Sequence, residues 1–248
     1  MSALETRGLG VSFGGLVANR DISLSLPVGA RHALIGPNGA GKTTFINLLT
    51  GVLRPTAGSI HLDGADITGL RADRRVARGL VRTFQINQLF PALTPIESVA
   101  LAVARRLGQD TRFWQRMGRQ PAIIDESVDI LARFGLLDVL DRPTAELPYG
   151  RQRLLEIAVA IACAPRVLLL DEPAAGVPED ERDAILDAVA ALPAEVAVLL
   201  IEHDMDLVFR FARHIFVLVG GELLTQGAPE IISADPRVRA VYLGEAHG

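Results

Sequence analysis

With 248 residues, 49% of them apolar, and a formal net charge of −4, the chain can bury a substantial core, and its charge argues against a nucleic-acid footprint. A lone cysteine, Cys163, excludes an internal disulfide and an all-cysteine zinc site, and its apolar helical setting predicts plain core packing. No apolar run approaches the roughly 18 residues that a spanning helix needs, the richest being 197–201 and 215–219, so the chain is not expected to cross a membrane. Residues 1–7 lack the basic segment, apolar segment and cleavage site of a secretory signal, so a cytoplasmic location is expected.

Taken in order, residues 8–13, 22–26 and 59–62 read as short strands punctuated by Gly14-Gly15, Pro27, Gly29 and Pro55, an antiparallel β region. Between them lies the run Gly36-Pro37-Asn38-Gly39-Ala40-Gly41-Lys42-Thr43-Thr44, which fits GxxxxGK[ST]. Residues 33–35 end a buried strand before it, and 43–49 start a helix after it. The glycines therefore fall at a strand-to-helix turn, where a phosphate is approached by backbone N–H groups that a Cβ at Gly39 or Gly41 would hold away. Lys42 supplies a point charge for the β- and γ-phosphates of a nucleoside triphosphate, and the Thr43 hydroxyl can ligate Mg²⁺.

Arg74, Arg75 and Arg78 read as a solvated helical face, and 80–84 as a strand leading to Gln85. From 94 to 106 and from 125 to 134 the apolar residues recur at helical spacing with no strand between, predicting a helical insert. The basic stretch 108–121, with Trp114, reads as a surface connection without assigned chemistry. A helix begins at Gly150 with Leu154, Leu155, Ile157, Ala158, Ile161 and Ala162 on one face. It leads into the apolar strand 167–170, which ends in Asp171-Glu172. One of these carboxylates can hold Mg²⁺ or its waters, and the other can polarise a water for in-line attack on a γ-phosphate. The next apolar strand, 196–201, is followed by His203 at the same ligand edge of a parallel sheet. Residues 215–219 and 222–226 flank Gly220-Gly221 as a β-hairpin. Alternating strands and helices of this kind argue for a mainly parallel α/β core.

Together these residues resemble the ATP-binding subunit of an ABC transporter over nearly the whole chain. The resemblance extends to a glutamine loop, Thr83-Phe84-Gln85, and a signature segment, Leu147-Pro148-Tyr149-Gly150-Arg151-Gln152. Further segments resemble the larger ATPase subunit of the branched-chain amino acid importers: 13–18, 81–85 with 89–91, 172–176, and the tail 236–245. The relatives of that branch also import urea, amides and other small organic solutes. The resemblance implies an α/β fold: a P-loop NTPase (RecA-like) core with an N-terminal antiparallel β subdomain and an inserted α-helical subdomain. It implies one ABC ATPase domain over 1–248, with 1–89 and 160–248 as core and 90–159 as the helical subdomain.

By the same resemblance two subunits close head to tail on ATP, with two membrane permeases and, indirectly, a periplasmic or extracellular solute-binding protein as further partners. That places the chain on the inner face of the cell membrane. Phe13 stacks on adenine; residues Gly36, Pro37, Asn38, Gly39, Ala40, Gly41, Lys42, Thr43 and Thr44 hold phosphates. Thr43, Gln85 and Asp171 arrange Mg²⁺, Glu172 is the general base, and His203 contacts the γ-phosphate. Pro148, Tyr149, Gly150 and Arg151 face the partner's nucleotide. Read from the strand alone, Phe13 is equally a core residue. Soluble ABC proteins of DNA repair, chromosome or ribosome function form another class, but their coiled-coil inserts, zinc cysteines or paired cassettes are not in this sequence.

Two positions depart from the family pattern. Pro148 replaces the signature serine, and Gly176-Val177-Pro178-Glu179 lacks the usual aspartate. Proline has neither hydroxyl nor N–H, so Pro148 removes two donors from the composite site that uses the partner's phosphate loop. One weakened site is expected, partly offset by the positive charge of Arg151, and a regulatory subunit with poor hydrolysis is the alternative reading.

Overall fold

A computed structural model describes residues 2–83, 89–109 and 120–244. The chain divides into two compact units, residues 1–80 with 166–172 and 193–248, and residues 81–165 with 173–192. Each is built around its own apolar interior.

The first unit opens with β1 (Ser2–Phe13) and β2 (Leu16–Pro27), antiparallel from Ser2↔Pro27 to Phe13↔Leu16. Both run longer than the sequence pattern predicts. Gly14, at φ 59, makes the two-residue turn between them. A register shift follows Thr6, and its buried hydroxyl fills the local gap, donating to Ile22 O at 3.0 Å and accepting from Leu24 N at 3.1 Å. With β4 (Ala57–Leu62) and β5 (Ala65–Asp66) these strands form a four-stranded sheet in the order β2-β1-β4-β5.

The second sheet runs β10-β9-β3-β8-β7-β6. Its members are β3 (Arg31–Ile35), β6 (Leu80–Arg82), β7 (Val167–Asp171), β8 (Ala197–Ile201), β9 (His214–Val219) and β10 (Glu222–Gly227). The pairs β3–β8, β3–β9 and β7–β8 are parallel, whereas β9 and β10 form the antiparallel hairpin expected around Gly220-Gly221. Every residue of β7 and β8 is buried, as continuous Val/Leu runs in a parallel sheet require. Helix α1 (Lys42–Thr50) presents Phe45, Ile46, Leu48 and Leu49 to the core, where they meet Leu34, Leu169, Leu199 and Phe216. Helix α2 (Ala72–Ala77) precedes β6.

The second unit is helical. Its helix α3 (Pro95–Arg106) starts with a capping box: Thr94 Oγ1 accepts from Glu97 N, and Glu97 Oε2 accepts from Thr94 N at 2.8 Å. Helix α4 (Pro121–Arg133) buries Ile123, Ser127, Ile130 and Leu131, a one-face spacing that packs against α3. Helix α5 (Tyr149–Ala162) buries Leu154, Leu155, Ile157, Ala158 and Ala162 as the pattern predicts, with Ile161 half-buried. Cys163 caps it half-buried, its thiol pKa raised by burial. Helix α6 (Glu179–Ala190) lies against α5 and has no counterpart in the sequence reading. In the first unit α7 (Met205–Phe211), α8 (Pro229–Ala234) and α9 (Pro236–Gly244) complete the chain. Among the described residues no helix is long and apolar enough to cross a membrane.

At the N-terminal ends of the parallel strands, His32 and His214 stand in register, their ring centroids 5.0 Å apart, with Phe216 against both. They line a groove of about 380 Å³ together with Glu5, Ser23, Ser25 and Gln226. Burial, and then the neighbouring His214, depress the His32 pKa from 6.5 to about 4. The folded state therefore holds His32 neutral between those values, where the unfolded chain binds a proton. This stability is present above pH 6.5 and is lost as pH falls toward 4. Because the ring is only half-buried, the loss expected between pH 7.5 and 5 is about 1 kcal/mol. In denaturant titrations at these two pH values, His32→Gln should flatten the difference by that amount. An unchanged pH dependence would show that other groups carry it.

Candidate nucleotide site

Parallel register explains why residues far apart in sequence meet. Leu34 pairs with Ile201, and Ile201 with Asp171, so the three strands β3, β8 and β7 end at one edge. The glycine loop leaves β3 there, Glu172 leaves β7, and Glu202-His203 leave β8, the position at which open α/β sheets hold ligands.

The loop is built as its sequence demands. Gly39 and Gly41 have φ of 76° and 94°, in the left-handed region, and Gly41 is the N-cap of α1. A Cβ on Gly41 would lie 2.6 Å from Asn19 Nδ2 and 2.9 Å from Ala18 O, because β2 passes directly beneath the loop. Buried Asn19 donates to Gly41 O at 3.3 Å, and Gly221 N of the β9–β10 turn donates to Ala40 O at 3.0 Å. These supports escape a motif reading, since Asn19 and Gly221 precede and follow the loop by about 20 and 180 residues. Lys42 is buried, its Nζ donating to Gly36 O and, at 3.0 Å, to Pro37 O, so the ammonium sits over the loop. Thr43 and Asn38 are exposed, whereas Thr44 and Pro37 are partly buried. The N-terminal amides and dipole of α1 favour an anion at this end.

Asp171 is buried at the end of β7. Glu172 follows at φ 45, a left-handed conformation that costs of order 1 kcal/mol or more in a non-glycine residue, and its N–H is held by Ile201 O at 2.9 Å. Its carboxylate stands 3.5 Å from Nδ1 of the exposed His203. A second carboxylate, on Glu202, lies 3.8 Å from the same nitrogen, is 2% exposed and accepts from His203 N at 3.2 Å. The sequence reading passed over Glu202. Its signal was an acidic residue following five apolar strand positions. Phe13 is half-exposed at the tip of the β1–β2 hairpin beside exposed Leu16 and Val17, so it is no core residue.

The second unit carries its own group. Pro148 is the N-cap of α5 without a side-chain cap bond, leaving the first amides of that helix to other acceptors. Tyr149 donates to Ala175 O at 3.2 Å and accepts from Arg153 at 2.8 Å, tying the helix start to the 173–178 loop, where Gly176 has φ 73. A Cβ on Gly150 would meet the Glu181 carboxylate. Arg151 is engaged by Gly135 O and by both oxygens of Asp138, at 3.0 and 3.3 Å. Gln85 lies outside the described residues.

A glycine loop between a parallel strand and a helix, with acidic side chains at the neighbouring strand ends, defines a phosphate-loop nucleotide-binding fold of the P-loop NTPase class. The chain belongs to the ABC transporter family: the ABC transporter family model matches residues 19–175, and that of the branched-chain amino acid ATP-binding cassette transporter matches 222–248. It is 42% identical to the high-affinity branched-chain amino acid transport ATP-binding protein BraF of Pseudomonas aeruginosa, over 98% of each chain. With the corresponding protein LivG of Escherichia coli it shares 39%, again over 98% of each. Among solved structures, an ATP-binding cassette of an ABC transporter in its ADP conformation superposes with a TM-score of 0.85 at 29% identity, over 98% of this chain and 99% of that one. A nucleotide-free cassette superposes with a TM-score of 0.84 over the same shares.

Proposed function

We propose that the chain hydrolyses ATP to power an importer of branched-chain or related amino acids, working on the inner face of the cell membrane as one ABC ATPase domain with a core and a helical subdomain. The observation that carries this reading is the row formed at one sheet edge by the glycine loop, Asp171-Glu172 and Glu202-His203. Full-length likeness to branched-chain amino acid transport ATP-binding proteins supports the choice of solute. Urea, amides or another small organic solute would use the same machinery.

In this reading the amides of residues 38–44 and the Lys42 ammonium hold the phosphates, and Phe13 stacks on the adenine. The Thr43 hydroxyl and the Asp171 carboxylate are hard oxygen donors of the type Mg²⁺ prefers, with Gln85 as a third. When bound there, Mg²⁺ neutralises charge on the phosphates. Glu172 takes a proton from the attacking water, and His203, positioned by Glu202 and Glu172, bonds the γ-phosphate. The N-terminus of α5, with Pro148, Tyr149, Gly150 and Arg151, faces the nucleotide of a second ATPase subunit, a paralogue or a second copy. Two permeases and a solute-binding protein complete the assembly.

The test is ATP turnover by the chain alone and with its candidate partner ATPase and permeases in vesicles. Turnover that requires the partners and is coupled to amino acid uptake supports the proposal, whereas tight ATP binding without turnover in any mixture would leave a nucleotide-gated regulatory subunit. Pro148 gives a further expectation. Restoring a hydroxyl and an N–H with Pro148→Ser should raise turnover at the site that uses the partner's phosphate loop by roughly tenfold, one charge-assisted hydrogen bond being worth about 1.5–3 kcal/mol. Phosphate release by the mixed dimer, with the other site silenced, reads this out.

A further inference from the structure

Arg75 is not on a solvated helical face. It is 1% exposed, the largest fully buried side chain of the described residues, while Arg74 and Arg78 are exposed. The correction has a local cause. Helix α2 turns Arg75 toward the C-terminal end of α1, where the last carbonyls of that helix have no partner within it. The guanidinium donates to Leu48 O at 2.7 Å and Leu49 O at 2.6 Å through Nη1, to Leu70 O at 2.9 Å through Nε, and to Thr68 O at 2.8 Å through Nη2.

All four acceptors are backbone carbonyls. The cation faces the negative end of the α1 dipole, and Asp66 adds a favourable charge nearby. Space for it is reserved by Gly51 at φ 77, where a Cβ would lie 2.9 Å from Arg75 Nε and 3.0 Å from Leu70 O. Burial disfavours the charged form. The side chain is nonetheless an arginine, whose planar fork reaches separated carbonyls that a lysine ammonium cannot span together.

Helix α1 is the element whose first residues are Lys42 and Thr43. Its N-terminus is held by Asn19, Gly221 and the loop itself, and its C-terminus by Arg75 together with backbone bonds from Gly51 N to Leu48 O and from Leu53 N to Asn47 O. A helix of nine residues is about 13 Å long, and a tilt at one end displaces the other. We propose that Arg75 is a positioning residue for the phosphate loop, clamping the C-terminal end of α1 to the 68–70 turn so that Lys42 and the loop amides stay aligned on the phosphates. The functional half of this proposal rests on the ATPase reading above; the mechanical half does not.

Amide hydrogen exchange on the nucleotide-free chain tests the mechanical half. Arg75→Met should speed exchange of the α1 amides 45–51 while the amides of β7 and β8 keep their protection, and Arg75→Lys should fall between it and the parent. If Arg75→Met does not fold, the Arg75→Lys profile decides. The affinity for ATP and ADP should fall about tenfold in Arg75→Met, within the range that a displacement near 1 Å can cost. Failure of the parent chain to bind ATP would count against the ATPase reading and leave the exchange result standing. Slower folding or lower stability with parent-like local exchange in α1 and parent-like ATP affinity in both variants would overturn the proposal, since a purely structural arginine would behave in that way.

Discussion

Glu172→Gln should abolish ATP turnover while leaving ATP binding intact. Glutamine keeps the size of the side chain and its capacity to accept a hydrogen bond, and it meets the same backbone requirement at φ 45. What it loses is the ability to take a proton. General-base removal costs about 10²–10⁴ in rate, and the residual activity then comes from phosphate positioning alone. The geometry favours the upper part of that range, because the carboxylate follows the end of β7 with His203 Nδ1 3.5 Å away, whereas Asp171 and Glu202 are buried. Asp171, one residue earlier and the last residue of β7, is buried, whereas Glu172 is less so. Single-turnover phosphate release measures the rate, and equilibrium binding of ATP measures the unaffected step. Turnover within a few-fold of the parent would remove Glu172 from the base role and shift attention to Glu202.

Lys42→Ala should cost nucleotide binding itself. The ammonium is buried over the loop, bonded to Gly36 O and Pro37 O, so it is held in place before any ligand arrives. Alanine removes the only side-chain cation within the glycine run and leaves the loop carbonyls unopposed beside an incoming phosphate. Two charge-assisted hydrogen bonds to phosphate oxygens, at roughly 1.5–3 kcal/mol each, put the expected loss of ATP affinity at about a hundredfold or more. Titration with a fluorescent nucleotide analogue checks it. ADP should suffer nearly as much, since in the proposed reading the β-phosphate also sits on this loop, and AMP much less. Equal loss for all three would mean that the substitution had collapsed the loop rather than removed a charge, and thermal unfolding would then show it. The two substitutions therefore separate binding from chemistry at one sheet edge.

Much of this site was legible in the chain because its parts are local. The glycine run carries its own conformational demand, and the strand before it and the helix after it are adjacent in sequence. Asp171-Glu172 and His203 were legible for a similar reason, each ending an apolar run of five or so buried residues. The fold class followed from alternation of these runs with helical patterns, and the comparisons bear it out. Arg75 departs from the solvated face expected of Arg74, Arg75 and Arg78 because neighbouring arginines in and after a short helix look alike in one dimension. Only one of them reaches the carbonyls at the end of a helix some 26 residues away.

What the sequence determined by itself was chemistry: a phosphate loop, a pair of carboxylates and a histidine, each at the end of an element that its neighbours dictate. What only the tertiary structure decided was their company. The parallel register that aligns Leu34, Ile201 and Asp171, the seat of Asn19 and Gly221 beneath the loop, the buried Glu202 beside His203 and the clamp of Arg75 on α1 all depend on contacts between distant segments. Local motifs obey short-range sterics and hydrogen bonding. Burial and cross-strand register depend on which surfaces the folded chain brings together.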